Sequence, residues 1–213
     1  VRDFENGVDL LTLPGSDDII VAPFDRRFAV AFSTEGFRVW NLKTKSVIKT
    51  VASANAPNVA QLSPDGNLLA IGFVEGTIDL YDTRDWSRVW SSAVHDSFVV
   101  GICFDRVGKR LFVAGGDDAN TVLDQKTGGI IQRLVGHSQA VLSIDASPDG
   151  RRLATTSLDL TLKIWDAATG RELTTLDTGG TLYTSARFSE DGRSIYGVSK
   201  FGKLRVWSVG GRP

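Results

Sequence analysis

The chain has 213 residues, with 24 Lys+Arg against 25 Asp+Glu and a formal net charge of -1. Hydrophobic residues make up 42% and aromatic residues 9%, an ordinary composition for a folded protein. Because a charge so close to zero creates no overall field, the composition argues against a general nucleic-acid binder and against electrostatic attachment to a membrane.

The single cysteine and the lengths of the apolar runs bear on the cellular location of the protein. The single cysteine, Cys103, lies in the apolar run 99–104 and is expected to be a core residue in a reducing, cytoplasmic setting. No run approaches the ~18 apolar residues that a membrane span needs, and no charged-then-apolar leader begins the chain. The sequence contains no Met, so we expect a trimmed domain or a piece of a longer protein.

From the N-terminus onward, the chain is organised as repeats. Residues 8–13 have the pattern of a strand, and residues 1–13 look like the tail of a preceding repeat or a closing strand. The repeat units that follow are predicted at approximately 14–51, 52–93, 94–135, 136–177 and 178–213.

Two independent ladders define the period. Turn tetrapeptides such as Ser63-Pro64-Asp65-Gly66 begin at residues 63, 105, 147 and 189, so the spacing is 42. Aromatic or leucine residues followed by a polar residue repeat in phase with the turns, at 40, 81, 123, 165 and 207. The residues between these marks alternate in polarity over runs of five to seven, as strands do.

The fourth unit shows the pattern most clearly. Strands are predicted at 140–146, 153–157, 161–165 and 171–176, with polar turns between them. Such a four-stranded meander cannot bury both faces of its sheet alone, and radial stacking of copies solves this problem. The sequence therefore predicts an all-β fold, a β-propeller of four-stranded antiparallel blades with five repeat units present.

At these residues the chain resembles the WD-repeat family of β-propellers. Gly136-His137, Ser157, Asp159 and Trp165-Asp166 follow the order of that family's Gly-His and Trp-Asp signatures. The resemblance covers essentially the whole chain, but the full signature occurs in one unit only. It implies a fold strongly and a particular function weakly.

The resemblance also implies a structural role for the signature residues. His137, Ser157, Asp159 and Trp165 are expected to form a hydrogen-bonded tetrad that satisfies the buried indole N–H. A Ser/His/Asp catalytic triad is disfavoured, because no Gly-x-Ser-x-Gly elbow surrounds Ser157. We predict no catalytic residues and a non-enzymatic protein.

No cofactor or metal site is predicted. The only two histidines, His95 and His137, are 42 residues apart and so belong to neighbouring units, which disfavours a zinc site. The acidic turn 115–120 lacks the spacing and distal Glu of a calcium loop. Basic pairs such as Arg151-Arg152 lie in turns with acidic neighbours that largely cancel them, so nucleic-acid binding is not expected.

One rim of the propeller is a candidate partner face. It is formed by the turns between the second and third strands and by the loops that enter each unit, and it combines acids with apolar side chains. Such a face fits a protein or peptide whose basic residues flank an apolar anchor. The alternative is that the apolar side chains pack into the ends of the blades. The candidate residues are Asp18, Val74, Glu75, Phe98, Asp118, Leu158, Leu182, Lys200 and Phe201.

The functional prediction is a protein-interaction scaffold or targeting module. Two alternatives stay open: a sensor or regulatory propeller fused to a signalling enzyme, and a propeller hydrolase. Ring closure is also open. A closed five-blade ring is compatible with the strands, and we favour five blades cut from a longer array, for example one of seven blades.

Overall fold

A computed structural model describes residues 18–21, 28–33, 35–106 and 109–210. Within these ranges the chain forms strands and turns without any helix, which confirms the all-β prediction. The predicted strand at 8–13 lies outside the described residues. The strands are β1 (Asp18–Val21), β2 (Phe28–Ser33), β3 (Gly36–Asn41), β4 (Ser46–Ala52), β5 (Pro57–Leu62), β6 (Leu68–Phe73), β7 (Thr77–Asp82), β8 (Arg88–Ala93), β9 (Val99–Phe104), β10 (Arg110–Gly115), β11 (Ala119–Asp124), β12 (Ile130–Val135), β13 (Val141–Ala146), β14 (Arg152–Ser157), β15 (Leu162–Asp166), β16 (Glu172–Leu176), β17 (Tyr183–Phe188), β18 (Ser194–Ser199) and β19 (Leu204–Ser208).

The strands form five antiparallel meanders in which each strand pairs with its neighbour in the chain. We call these sheets blade 1 (β1–β4), blade 2 (β5–β8), blade 3 (β9–β12), blade 4 (β13–β16) and blade 5 (β17–β19). The strands of blade 4 begin and end within one residue of the predicted positions. The limits of the repeat units stay a prediction.

The chain divides into two compact units, Val1–Pro57 and Asn58–Pro213. Blade 1 lies in the first unit. Blades 2 to 5, apart from Pro57 at the start of β5, lie in the second unit, which carries most of the candidate site.

The Ser-Pro-Asp-Gly turns repeat because each solves the same local problem. In the turn before β14, Ser147 Oγ donates to Asp149 Oδ1 (2.6 Å) and accepts from the backbone N–H of Arg152 (2.9 Å). Gly150 takes a left-handed conformation, φ 68°, that favours glycine. The turns that begin at Ser63 and Ser189 contain the same hydrogen bonds. The turn therefore recurs in each of these units because its own side chains stabilise it.

The Asp of the Trp-Asp signature also forms a turn. Asp166 Oδ1 accepts the backbone N–H groups of Ala168 and Thr169, and the backbone N–H of Gly170 donates to Asp166 O (2.9 Å). Asp124 does the same before β12. The carboxylate therefore closes the hairpin between the third and fourth strands of a blade.

Stacking of the blades buries the core of the second unit. The central strands β6, β10 and β14 are almost wholly buried, whereas the fourth strands β8, β12 and β16 are mainly exposed. Apolar clusters lie between blades 2 and 3, 3 and 4, and 4 and 5. Blade 5 buries one face only, since alternate residues of β18 are exposed.

Two arginines of the predicted basic turns tie consecutive blades together. Arg110 donates from Nη1 to Ala167 O and from Nη2 to Gly150 O (3.3 Å). Arg152 donates from Nη1 to Val209 O (2.7 Å) and from Nη2 to Gly192 O (2.7 Å). These guanidinium groups therefore hold the next blade, and they are not a free basic surface.

Candidate functional site

The signature residues of blade 4 form one buried hydrogen-bonded chain. Trp165 on β15 donates its indole N–H to Thr155 Oγ1 on β14 (2.8 Å). Thr155 Oγ1 lies 2.7 Å from His137 Nε2, and His137 Nδ1 lies 2.8 Å from Asp159 Oδ2 in the turn between β14 and β15. These hydrogen bonds join the loop before β13 to the two central strands of the blade.

The hydroxyl in this chain is that of Thr155, so the prediction that assigned it to Ser157 is wrong. Trp165 pairs with Leu153 across β14 and β15. Its indole reaches two residues along β14 to Thr155, whereas Ser157 is four residues along, about 13 Å at the rise of a strand. Ser157 Oγ instead donates to Gln139 O (3.0 Å), which fastens the end of β14 to the preceding loop.

The hydrogen bonds are all donated in one direction, from Trp165 towards Asp159. An indole N–H donates only, so the Thr155 hydroxyl is left to donate to His137 Nε2. The proton of the neutral imidazole is then on Nδ1, from which it is donated to Asp159. Burial lowers the pKa of His137 and outweighs the opposite effect of Asp159, so the ring is neutral at neutral pH.

Asp159 is the ionised end of this hydrogen-bonded chain. Burial alone would raise its pKa, but hydrogen bonds from the Thr161 hydroxyl (2.6 Å), from His137 and from the backbone N–H of Ser138 (3.0 Å) lower the pKa to about 2. Every polar group of this arrangement is engaged internally. It serves the structure of the blade, as the family resemblance implies, and leaves no group to act on a substrate.

Blade 3 contains only the histidine and aspartate part of this hydrogen-bonded arrangement. His95 Nδ1 lies 2.9 Å from Asp117, as His137 does from Asp159. Val113 and Leu123 stand 42 residues before Thr155 and Trp165, so the hydroxyl and the indole are missing. Among the described residues, the buried His95 Nε2 has no hydrogen-bond partner.

Four of the five apolar residues predicted for the candidate partner face are exposed. Val74, Phe98 and Leu158 have 40%, 42% and 41% of their surface exposed, and Phe201 has 85%. Leu182 is half-buried. The alternative, in which these side chains pack fully into the ends of the blades, is wrong for the four exposed residues, although Phe98 packs in part on Gly116.

The charged residues of this face divide into two groups. Glu75, Asp118 and Lys200 are exposed, as predicted. Asp18 begins β1, and its side chain lies outside the described residues. Asp117 and Asp159 lie on the same turns, but their carboxylates contact the two histidines and contribute less to the charge of the surface.

Blades 3 and 4 are joined at this face. The backbone N–H of Gly116 donates to Phe98 O (2.7 Å), and the Phe98 ring covers Gly116, where a Cβ would lie 2.7 Å from the ring carbon Cζ. The backbone N–H of Val141 donates to Asp117 O (3.3 Å), which places the turn of blade 3 beside the start of blade 4.

Sequence reasoning missed two residues of this face. Leu160 follows Leu158 in the same turn and is 43% exposed. Asp177 lies in the loop before β17, with 85% of its side chain exposed. The spacing of Leu160, 42 residues before Gly202 in the corresponding turn, was the available signal.

Other chemistry receives no support from the residues that the structure describes. Among them, no three His, Cys, Asp or Glu side chains come together as a metal site. Burial, followed by the charge of Asp145, raises the pKa of the Cys103 thiol to about 12, so the thiolate needed of a nucleophile is scarce at neutral pH. The same part of the chain has no helix that is long and apolar enough to cross a bilayer.

Two family models match the chain. The model described as "WD domain, G-beta repeat" matches residues 128–166. That described as "Anaphase-promoting complex subunit 4 WD40 domain" matches residues 60–145. The first includes Trp165 and the strands β12 to β15, where the signature is complete.

Curated relatives are similar at low identity. The COMPASS component SWD3 of Saccharomyces cerevisiae is 26% identical over 192 residues, which cover 84% of this chain and 61% of the relative. The WD repeat-containing protein SL1-17 of Schistosoma mansoni is 30% identical over 134 residues, 62% of this chain and 44% of the relative. Autophagy-related protein 16 of Arabidopsis thaliana is 24% identical over 217 residues, 98% and 43%. The chain thus spans about three-fifths or less of these relatives.

A solved structure confirms the fold. A chain of the crystal structure titled Mitotic Checkpoint Complex superposes with a TM-score of 0.81 at 20% identity, over 93% of this chain and 63% of that one. At this identity the likeness establishes architecture and nothing finer. Together with the repeat models and the WD-repeat relatives, it confirms the predicted resemblance to WD-repeat β-propeller proteins.

Proposed function

We propose that the chain is a non-enzymatic protein-interaction module and that the rim carrying Val74, Phe98 and Leu158 is its contact face. The observation that carries this proposal is the exposure of these side chains, each about two-fifths open to solvent, at the ends of three consecutive blades. Large apolar side chains grouped on a surface mark interaction sites more often than singly scattered ones do.

The charge on this face suggests the chemistry of the partner. Glu75 and Asp118 are exposed and form no ion pair within the described ranges, while Lys200 is the main base. A protein segment in which basic residues flank an apolar side chain fits such a face, because the apolar anchor supplies affinity and the charges steer the approach. The same acids disfavour nucleic acid.

Two kinds of relative support an interaction role. SWD3 is named a component of COMPASS, and the superposed chain belongs to a structure titled as a complex. For the cellular setting we propose the cytoplasm, because the single cysteine cannot form a disulfide within the chain.

Affinity purification with quantitative mass spectrometry tests the contact face. The protein is compared with a rim variant, Val74→Ser with Phe98→Ser and Leu158→Ser. The control variant carries Val89→Ser, Ile131→Ser and Leu173→Ser, which change three similarly exposed residues on the fourth strands. Circular dichroism and melting temperature must match in all three proteins.

We expect partners to be lost from the rim variant and kept by the control. Partners kept by the rim variant and lost from the control would place the contact on the fourth strands instead. A purified protein that hydrolyses generic ester or phosphate substrates would contradict the non-enzymatic assignment.

A further inference from the structure

Leu160 has an unfavourable backbone conformation and an exposed side chain. Its φ of 64° lies in the left-handed region, which disfavours residues with a Cβ. Gly76 and Gly202 occupy the corresponding position in blades 2 and 5, with φ 78° and 77°. Because Leu160 is 43% exposed, burial of its side chain does not explain a leucine where glycine would be relaxed.

Leu160 extends an apolar strip across blades 3 and 4. The backbone N–H of Leu158 donates to Ala140 O (2.9 Å), next to Val141, which is bonded to the turn of blade 3. On that turn the Phe98 ring lies over Gly116. We define the anchor strip as Phe98, Leu158 and Leu160, each of them 41–43% exposed.

One acid lies on each side of the anchor strip. Asp118 is exposed and follows Asp117, whose carbonyl bonds to the start of blade 4. On the other side, Thr178 Oγ1 donates to Leu160 O (2.6 Å), which places Asp177 beside Leu160. Asp177 contacts Arg205 only at 3.8 Å, with 85% of its side chain exposed, so that most of its charge faces solvent.

We propose, building on the function proposed above, that the anchor strip binds a partner segment in which one large apolar side chain stands between two basic residues. The apolar side chain packs on Leu158, Leu160 and Phe98. The flanking lysine or arginine residues pair with Asp118 on the side of blade 3 and with Asp177 on the side of blade 5. Leu160 then keeps an unfavourable backbone conformation because its side chain contacts the partner.

A peptide array supplies the probe. It carries nonapeptides with Leu, Ile, Phe or Trp at the centre, flanked on both sides by Lys or Arg, and matched sets in which Glu or Ser replaces the basic residues. We expect the basic sets to bind and the Glu sets to fail. The best peptide, labelled with a fluorophore, then gives dissociation constants for the variants by anisotropy.

Leu160→Gly separates binding from folding. Glycine relaxes the turn, so the variant is expected to melt at the same or a higher temperature while it binds the peptide at least tenfold more weakly. Leu160→Asn, which also tolerates the left-handed region, repeats the test. The control is Leu173→Ser, an exposed leucine on β16, with unchanged affinity.

Charge variants test the two acids. Asp118→Asn and Asp177→Asn are each expected to weaken binding several-fold and to reduce its dependence on salt, whereas Glu190→Gln on the opposite rim leaves both unchanged. If Leu160→Gly keeps full affinity while the Val74/Phe98/Leu158 rim variant loses its cellular partners, the anchor strip is wrong and the contact face stands. If no basic set binds above the Glu sets, the partner chemistry proposed here is wrong, and the purification experiment decides the contact face separately.

Discussion

Arg110 and Arg152, one 42-residue period apart, hold the following blade by the same pair of bonds. Each guanidinium reaches a glycine carbonyl 40 residues ahead, in the turn between the first and second strands of the next blade. Each also reaches a carbonyl 57 residues ahead, at Ala167 or Val209. The repeat therefore preserves a contact between blades as well as the strands within a blade, which is how nearest-neighbour coupling stabilises repeat proteins.

The two arginines differ in one partner, and this difference predicts unequal losses of stability. Arg110 Nε also pairs with the buried Asp105 carboxylate at 2.9 Å. Arg110→Ala removes this ion pair with a buried carboxylate together with both carbonyl bonds, and is expected to lower the free energy of unfolding by about 3 kcal/mol. Arg152→Ala removes two bonds to neutral carbonyls and a contact with the Phe188 ring, but no ion pair, for a loss of about 2 kcal/mol.

Urea unfolding of both variants beside Arg151→Ala checks this ordering. Arg151 is exposed, and its replacement should change stability by less than about 0.5 kcal/mol. Equal, small losses in all three variants would show that the bonds between blades contribute little.

Thr155→Val tests the corrected assignment of the hydroxyl in blade 4. Valine keeps the shape of threonine but leaves both the Trp165 indole N–H and His137 Nε2 unpaired in the core. The expected loss is about 3 kcal/mol, against about 1 kcal/mol for Ser157→Ala. Thermal melts of the two variants decide the matter, and the reverse ranking would restore Ser157 to the chain.

The sequence predicted local pairing well and side-chain partners less well. The ends of β13 to β16 follow from alternating polarity and turn residues, which are local signals. The choice between Thr155 and Ser157 depends on where an indole points across a strand pair, and the inward turn of Arg152 depends on the next blade. Both are relations between elements that one strand's pattern does not contain.

The same limit applies to the rim. Exposure of Phe98 and Leu158 followed from their places at the ends of strands. The prediction left out Leu160, because its importance lies in a φ value that only the folded turn reveals. Asp177 was missed because its distance from Leu160 is set by the bond of Thr178 to the turn of blade 4.

Val113→Thr is expected to stabilise blade 3, although a hydroxyl added to an apolar core ordinarily destabilises it. Val113 stands one period before Thr155, and the buried His95 Nε2 lacks a donor among the described residues. A threonine hydroxyl there donates to Nε2 as Thr155 does to His137, for a gain of about 1 kcal/mol. Val99→Thr, at another fully buried valine, is the control and should lose stability. A loss for both would show that the ring nitrogen is not reached from position 113.

The hydrogen-bonded chain of blade 4 makes stability depend on pH in two windows. Burial lowers the pKa of His137 below its ordinary value of 6.5, so the unfolded chain binds a proton more readily than the folded one. Stability is then full above pH 6.5 and falls as the pH drops through that value. Asp159, with a pKa of about 2 against 3.8 when unperturbed, stabilises the fold above pH 3.8, and this contribution is lost as the pH falls towards 2.

Urea unfolding of the protein and of His137→Gln from pH 8 to pH 5 isolates the first window. The other titratable groups are common to both proteins, so their effects cancel in the difference. The variant is expected to be less stable at pH 8, since the flexible amide does not reproduce the imidazole geometry that joins Thr155 to Asp159, and the difference in stability should narrow as the pH falls below 6.5. Asp159→Asn gives the matching comparison between pH 4 and pH 2. A gap that stays constant from pH 8 to pH 5 would mean that His137 keeps an ordinary pKa, and a gap that widens would mean that the imidazolium pairs with Asp159 and that the pKa is raised.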